Sequence, residues 1–100
     1  MEGHAVISHE VLAAYAADAA LEVEGVHDLV DGPRRHQGVR VSEEDGEMGV
    51  ELHVVVEWGA ASPDVAAAVQ ARVAEYLVRT ARLPSVTVDV VVAGVASGGD

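Results

Sequence analysis

The sequence predicts an α+β domain, in which a small mixed β-sheet carries two α-helices on one face and leaves its other face open. Three observations lead to this prediction. Apolar residues recur at helical spacing in residues 9–23 and again after Pro63. Apolar and polar residues alternate in residues 50–58 and 86–92, as in strands with one buried face. The order strand, helix, strand over residues 50–93 favours a right-handed crossover, which places the last strand parallel to the long one.

The first helix is expected over residues 9–23. Ser8 is its N-cap, because the hydroxyl can accept a hydrogen bond from a free amide of the first turn. Glu10 complements the positive end of the helix dipole, and Gly25 ends the helix because glycine adopts the left-handed conformation at low cost. The positions at helical spacing are Val11, Leu12, Tyr15, Ala16, Ala19, Ala20 and Val23.

Two short segments flank this helix. Residues 3–7 predict a brief first strand, and residues 25–30 predict a short strand or an extended connector. Residues 31–38 are a loop by composition, with Gly32-Pro33 as the breaker.

A hairpin follows over residues 39–58. Asp45-Gly46 supplies its turn, since both positions tolerate positive φ. In the long second strand, one face is expected to be core and consists of Val50, Leu52, Val54, Val56 and Trp58. The opposite face is expected to be mostly solvated and consists of Glu51, His53, Val55 and Glu57.

The second helix is predicted to start at Ser62-Pro63-Asp64, with the serine as N-cap and the proline at the first helical position. Pro84 closes it. The predicted apolar stripe is Val65, Val69, Val73, Tyr76 or Leu77, and Thr80. In the last strand, one side is expected to carry Val86, Val88, Val90 and Val92, and the other side Thr87, Asp89 and Val91.

Length and charge limit the function classes. One hundred residues fit one domain, expected over residues 1–96, followed by a disordered tail over 97–100. The net charge of −11 and the absence of Lys argue against nucleic acid or anionic lipid as the main partner. The chain has neither an apolar run of membrane-spanning length nor a signal-peptide pattern, so we expect a cytoplasmic protein without direct membrane insertion.

The strand–glycine–helix junction does not fit a phosphate site. Such a site needs backbone amides at a helix N-terminus and a close glycine approach. Gly59 is the single glycine here, and Asp64 already places a negative charge at the helix start. The junction therefore predicts a turn and a helix cap.

The sequence gives little support for a catalytic site or a metal site. The five histidines show no HxxxH or HxH spacing, the serines lie in no nucleophile-elbow context, and there is no cysteine. The best metal candidate is His53 with Glu51, Glu57 and Asp89, which imidazole and carboxylate chemistry would suit. The alternative is a solvated sheet face. We expect no cofactor, no metal and no enzymatic activity.

The open sheet face indicates a function more clearly than the candidate catalytic and metal residues do. Alternation places Val55 and Val91 outward among its charges. Isolated exposed valines are common and need no function, whereas a contiguous patch indicates a contact surface for another copy or a partner. The predicted partner-binding residues are Glu51, His53, Val55, Glu57, Asp89 and Val91.

The pattern as a whole resembles the alkaline shock protein family, the Gls-type envelope stress response proteins. Residues 7–29 resemble the family's opening, with Ile7-Ser8, a helix, and a Glu-x-x-Gly-Val turn formed by Glu22 and Gly25-Val26. Residues 50–77 look like its long strand, glycine turn and helix with a Val-Gln-x-x-Val core, here Val69-Gln70 and Val73. Residues 86–95 are similar to its closing strand.

The resemblance implies a small cytoplasmic protein linked to cell-envelope stress. Some members of the family self-assemble and are held at the inner face of the membrane by an anchor protein, and no catalytic residues are attached to the family. The function expected from it is self-association or docking to a membrane-anchored partner of related domain type. The alternative left open is a small regulatory domain that binds a metal or small ligand on the exposed sheet face.

Overall fold

The structure, a computed structural model, describes residues 8–30 and 38–97. The elements follow in the order α1 (His9–Leu21), β1 (Val26–Leu29), β2 (Val39–Glu44), β3 (Glu47–Val56), α2 (Ser62–Thr80) and β4 (Val86–Val95). The predicted α+β class is confirmed. The brief strand expected over residues 3–7, the loop up to residue 37 and the tail from residue 98 lie outside the described residues.

In the part of the chain that the structure describes, β3 is the central strand of a mixed four-stranded sheet. β2 pairs antiparallel with its first part, for example Val41 with Val50, and β1 pairs antiparallel with its last part, for example Val26 with Val56. β4 pairs parallel with β3, for example Val88 with Val50. Because β4 runs along nearly the whole of β3, β1 and β2 lie end to end along the opposite edge.

Both helices contact the strands and each other, and the core between helices and sheet consists of small apolar side chains. The inward side of β3 is fully buried, as the alternation predicted. α2 buries a stripe of residues four apart and contacts β4 and α1. Where the helices meet, the rings of Tyr15 and Tyr76 make an edge-to-face contact with centroids 6.1 Å apart. The buried residues of β3 and α2 are Val50, Leu52, Val54, Val56, Val65, Val69, Val73 and Leu77.

The predicted turns are present. Asp45 and Gly46 both have positive φ, 54° and 80°, which is the backbone of a two-residue hairpin turn. Gly25 has a φ of 98°, and a Cβ added there would lie 2.6 Å from Cγ2 of Val65. Glycine is therefore required at this position both by conformation and by the close approach of α2.

Two predictions about helix boundaries are wrong. α1 ends at Leu21, so Val23 lies beyond it. The N-cap of α2 is Ala61, which has no capping side chain, and Ser62 is already helical. The helix therefore begins one residue earlier than predicted. Because Ser62 already has helical backbone, its hydroxyl does not serve as the N-cap.

Two side-chain placements are also wrong. Trp58 was expected in the core, but it is 71% exposed. β3 ends at Val56, and the chain then turns, with the Ala60 N–H donating to the Glu57 carbonyl over 3.0 Å, so Trp58 lies in the turn and not on the sheet. Thr80 is exposed at the end of α2, where Leu77 occupies the buried stripe instead.

Candidate functional site on the open sheet face

The strand register decides which of the predicted residues meet. Directly paired residues share a face of the sheet, so Glu51 lies between Arg40 on β2 and Asp89 on β4. His53 lies beside Val91. The structure therefore brings four of the six predicted residues together at the middle of the open face: Glu51, His53, Asp89 and Val91.

Val55 lies further along the same face. It pairs with Gly94 on β4 and with Asp28 on β1. Val55 and Val91 are therefore diagonal neighbours and not a directly opposed pair. A bulge shifts the β3–β4 register between Val54 and Val55, and the extra residue in β4 at this point is Ala93.

Glu51 is the electrostatic centre of the face. Its Oε2 lies 2.5 Å from Nε2 of His53, and its Oε1 lies 3.9 Å from Nη1 of Arg40. The His53 side chain is only 18% exposed, because it lies between its neighbours on the sheet. These contacts fix a polar group at the centre of the face, with a carboxylate flanked by two basic side chains.

Glu57 follows the last residue of β3 and lies at the rim. Its Oε2 is 3.5 Å from Nδ1 of His27, and both side chains are about half exposed, 53% each. Its N–H donates to the Gly25 carbonyl over 2.8 Å, which holds the strand end in place. Glu57 is thus a solvated rim residue, separate from the contact centred on Glu51.

A shallow depression lies at the hairpin end of the face and has a volume of about 510 Å³. Its floor is open because Gly49 has no side chain beside Ser42. Its lining is rich in carboxylates and includes Glu44, Glu47 and Asp89. Among residues 8–30 and 38–97, no group of three or more histidine, aspartate and glutamate side chains could hold a metal ion.

Sequence reasoning missed an apolar surface along β4. Val92 was placed on the core side, but it is 37% exposed, and Val95 is 54% exposed. Val91 adds to this surface from the open face, as predicted, with 40% exposed. The available signal was the run of three valines at 90–92, which breaks the alternation of the strand.

The fold and the open face are those of a small α+β domain. The chain belongs to the alkaline shock protein 23 family, which is described as having a cell envelope-related function, and the family match covers residues 1–97. The resemblance to alkaline shock proteins is thereby confirmed. No curated protein matches the chain.

Several solved structures share the fold. A MamM CTD variant superposes with a TM-score of 0.61 at 17% identity, covering 90% of this chain and 100% of that chain. The zinc form of another MamM CTD variant gives a TM-score of 0.60 at 21% identity, covering 93% and 92%. A manganese form gives 0.58 at 18% identity, covering 85% and 99%. At these identities the likeness shows the fold alone.

Neither helix is built to cross a bilayer. Within the described residues, neither α1 nor α2 combines the length and the apolar character that a membrane-spanning helix requires.

Proposed function

We propose that this chain is a non-enzymatic, envelope-stress-type protein that acts by binding another protein chain through its open sheet face. The bound chain is a second copy or a membrane-anchored protein of related domain type at the cytoplasmic face of the membrane. The cell envelope-related function of the family supports the setting. The observation that carries the proposal is the composition of the open face.

That face has the composition of a protein-binding surface. Val55 and Val91 are apolar and partly exposed, and Gly94 beside Val55 leaves the backbone accessible. Charged side chains surround them, including Asp89 and Glu57. A surface that combines apolar and charged side chains is usual in non-obligate interfaces.

The same geometry gives little support for catalysis. A His–carboxylate pair such as His53 and Glu51 can orient a general base, which then needs a nucleophile within hydrogen-bond reach. Across β4 the residue beside His53 is Val91, and on the other edge its backbone N–H donates to the Gly38 carbonyl over 3.1 Å. Neither neighbour supplies a hydroxyl group.

The alternative, a metal- or ligand-binding domain, draws support from the His53–Glu51 contact. Some of the MamM CTD structures are zinc and manganese forms. Two ligands from one chain are fewer than the three or four that zinc sites use. The protein-binding proposal therefore accounts for more of the face.

The substitution Val55→Glu tests the proposal. It places a carboxylate in the apolar part of the face. If the bound chain is a second copy, we expect light scattering to give a lower weight-average molar mass than for the wild-type chain at the same protein concentration. Val11→Glu is the matched control, because Val11 is 39% exposed on α1 and the charge change is the same. It should leave the size unchanged.

Binding to a membrane-anchored protein, the other possibility in the proposal, is measured separately. A membrane-anchored protein that carries a related domain should co-purify with the wild-type chain and with Val11→Glu, and should be lost with Val55→Glu. A wild-type chain that is monomeric at every concentration and co-purifies with no such protein would show that the proposal is wrong.

A further inference from the structure

Among the described strands, β4 lies at an edge of the sheet and has an unusual composition for that position. Of its ten residues, six are valine and one, Asp89, is charged, and it contains neither Pro nor Lys. Natural edge strands are usually protected by charges, prolines or short length, because their unpaired N–H and C=O groups are a template for another strand. A single acid and one bulge are weak protection for a strand of this length.

The hydrogen bonds of β3 show which groups of β4 face outward. His53 uses both of its backbone groups on the β1/β2 side: its N–H donates to the Gly38 carbonyl and its carbonyl accepts from the Val30 N–H over 3.0 Å. Backbone groups alternate in direction along a strand, so Val50, Leu52 and Val54 direct theirs to β4. Their partners in β4 therefore direct N–H and C=O away from β3, and these partners are Val88, Val90 and Val92.

One of these three residues is already engaged. Nε2 of Gln70 on α2 donates to the Val88 carbonyl over 2.9 Å. Within residues 8–30 and 38–97, the outward groups of Val90 and Val92 have no hydrogen-bond partner in the protein. The side chain of Gln70 thus occupies the Val88 carbonyl in the first part of the edge and leaves the outward groups of Val90 and Val92 open.

We propose that a second copy of this chain pairs antiparallel with the open part of the β4 edge, about a two-fold axis at Val91. In this register Val90 of one copy is opposite Val92 of the other, and the reverse. Each of these two pairs exchanges both backbone hydrogen bonds, so the free groups of both residues are used and the Gln70–Val88 contact stays intact. Centring on Val90 instead would place Val88 opposite Val92 and would displace Gln70.

Charge favours a second copy at this edge over stacking of two open faces. Each chain carries a net charge of −11, so two copies associate best where the fewest carboxylates meet. In the register centred on Val91, Asp89 lies opposite Ala93 of the second copy and not opposite its own equivalent. The apolar contacts are then made by the exposed side chains of Val91, Val92 and Val95.

The proposed pairing rests on the self-association arm of the proposed function, but it places the second copy at the β4 edge and not on the open face, which stays available to a membrane-anchored partner. An antiparallel pair about an axis perpendicular to the sheet joins two four-stranded sheets into one. Both open faces then point to the same side. A membrane-anchored partner could still reach Val55 and the centre at Glu51 in the dimer.

A single cysteine at the axis tests the register, because the natural chain has no cysteine. In the proposed dimer the two copies of residue 91 form a non-hydrogen-bonded pair with Cα atoms about 4.5 Å apart, which is within the range a disulfide can span. Val91→Cys should therefore form a disulfide-linked dimer under mild oxidation at least about tenfold faster than Val78→Cys. Val78 is the matched control, since both valines are 40% exposed.

Two further readouts cover the case in which a cysteine variant folds poorly. Val91→Lys should raise the dimer dissociation constant at least about tenfold relative to Val78→Lys, with both variants unfolding cooperatively. In the wild-type chain, hydrogen exchange at the amides of Val90 and Val92 should slow as the protein concentration rises.

The outcomes separate this inference from the proposed function. If the wild-type chain self-associates and Val55→Glu weakens it, but Val91→Cys links no faster than Val78→Cys, the edge pairing is wrong and the proposed function stands. If the chain is monomeric while both amides are protected at every concentration, another part of the same chain covers the edge and the pairing is wrong. A monomer with unprotected amides overturns the pairing and the self-association arm together.

Discussion

Gly25 lies where the chain leaves α1 and enters β1, and it combines two constraints at one position. Its φ of 98° belongs to a region that other residues adopt at a cost. Its Cα also faces the side chain of Val65, which is buried and β-branched and so has little freedom to move. The contact couples the end of α1 to the start of α2, which are far apart in sequence.

Gly25→Ala should therefore destabilise the protein by more than the cost of holding an alanine at positive φ. Gly59→Ala is the matched control, since Gly59 has a φ of 84° and nothing within 4 Å of an added Cβ. We expect Gly59→Ala to cost about 1 kcal/mol of unfolding free energy and Gly25→Ala roughly 1–3 kcal/mol more, from overpacking against Val65. Urea denaturation measures both, and equal costs would contradict the close approach.

At the scale of elements, the two helices start in different ways. The hydroxyl of Ser8 accepts a hydrogen bond from the Val11 N–H over 3.1 Å, as an N-cap does. α2 has no such side chain and begins instead with Pro63 and Asp64 in its first turn. Its stability comes from packing, because its buried stripe contacts both the sheet and α1.

Two serine-to-alanine substitutions should therefore differ in their effect on the unfolding free energy. Ser8→Ala removes a capping hydrogen bond and should lower the unfolding free energy by about 1 kcal/mol. Ser62→Ala should change it by less than about 0.5 kcal/mol, because Ser62 is inside the helix, where alanine is the better helix former. Thermal and urea unfolding of the two variants check this, and equal losses would mean that Ser62 does cap α2.

β4 shows how an element acquires a role from its position. Its valine pattern would suit a central strand equally well, but it pairs with β3 alone among the described strands. The bulge at Ala93 then shifts the register, so that Val95 and not Gly94 pairs with Val56. Edge position and bulge together leave Val92 and Val95 exposed, which the strand's own composition does not reveal.

At the scale of the whole molecule, charge sets the conditions for association. Two chains of net charge −11 repel each other at long range, and the β4 edge contributes one carboxylate per copy to a dimer. Salt screens this repulsion, since the Debye length falls from about 10 Å at 0.1 M to about 3 Å at 1 M. Salt weakens short-range hydrogen bonds and contacts between valines much less than it weakens this repulsion.

Self-association should therefore strengthen as sodium chloride rises from low concentration to about 0.5 M. Sedimentation equilibrium at several concentrations of protein gives the dissociation constant at each salt concentration, and Val91→Lys tests whether the same surface is responsible. Association that weakens with salt would indicate contacts between opposite charges, for example between Arg79 on α2 and the acidic residues of a second copy. Such a result would contradict pairing at β4.

The periodicities of the chain determined most of the fold. Alternation in β3 assigned the buried Val50 and Leu52 and the outward Glu51 and His53 correctly, because the two-residue period of a strand is a local property. The Asp45-Gly46 turn and the strand–helix–strand order likewise gave the hairpin and the parallel placement of β4. The family resemblance, confirmed over residues 1–97, rests on the same local patterns.

Tertiary structure alone decided the rest, because it depends on contacts between distant residues. The register places Asp89 beside Glu51 and Val91 beside His53, and nothing in either strand fixes that register locally. The end of β3 at Val56 puts Trp58 in solvent although it continues the apolar alternation. The free edge of β4 follows from which strands pair and where Gln70 reaches, so the proposed surface for a second copy could be found only in the folded chain.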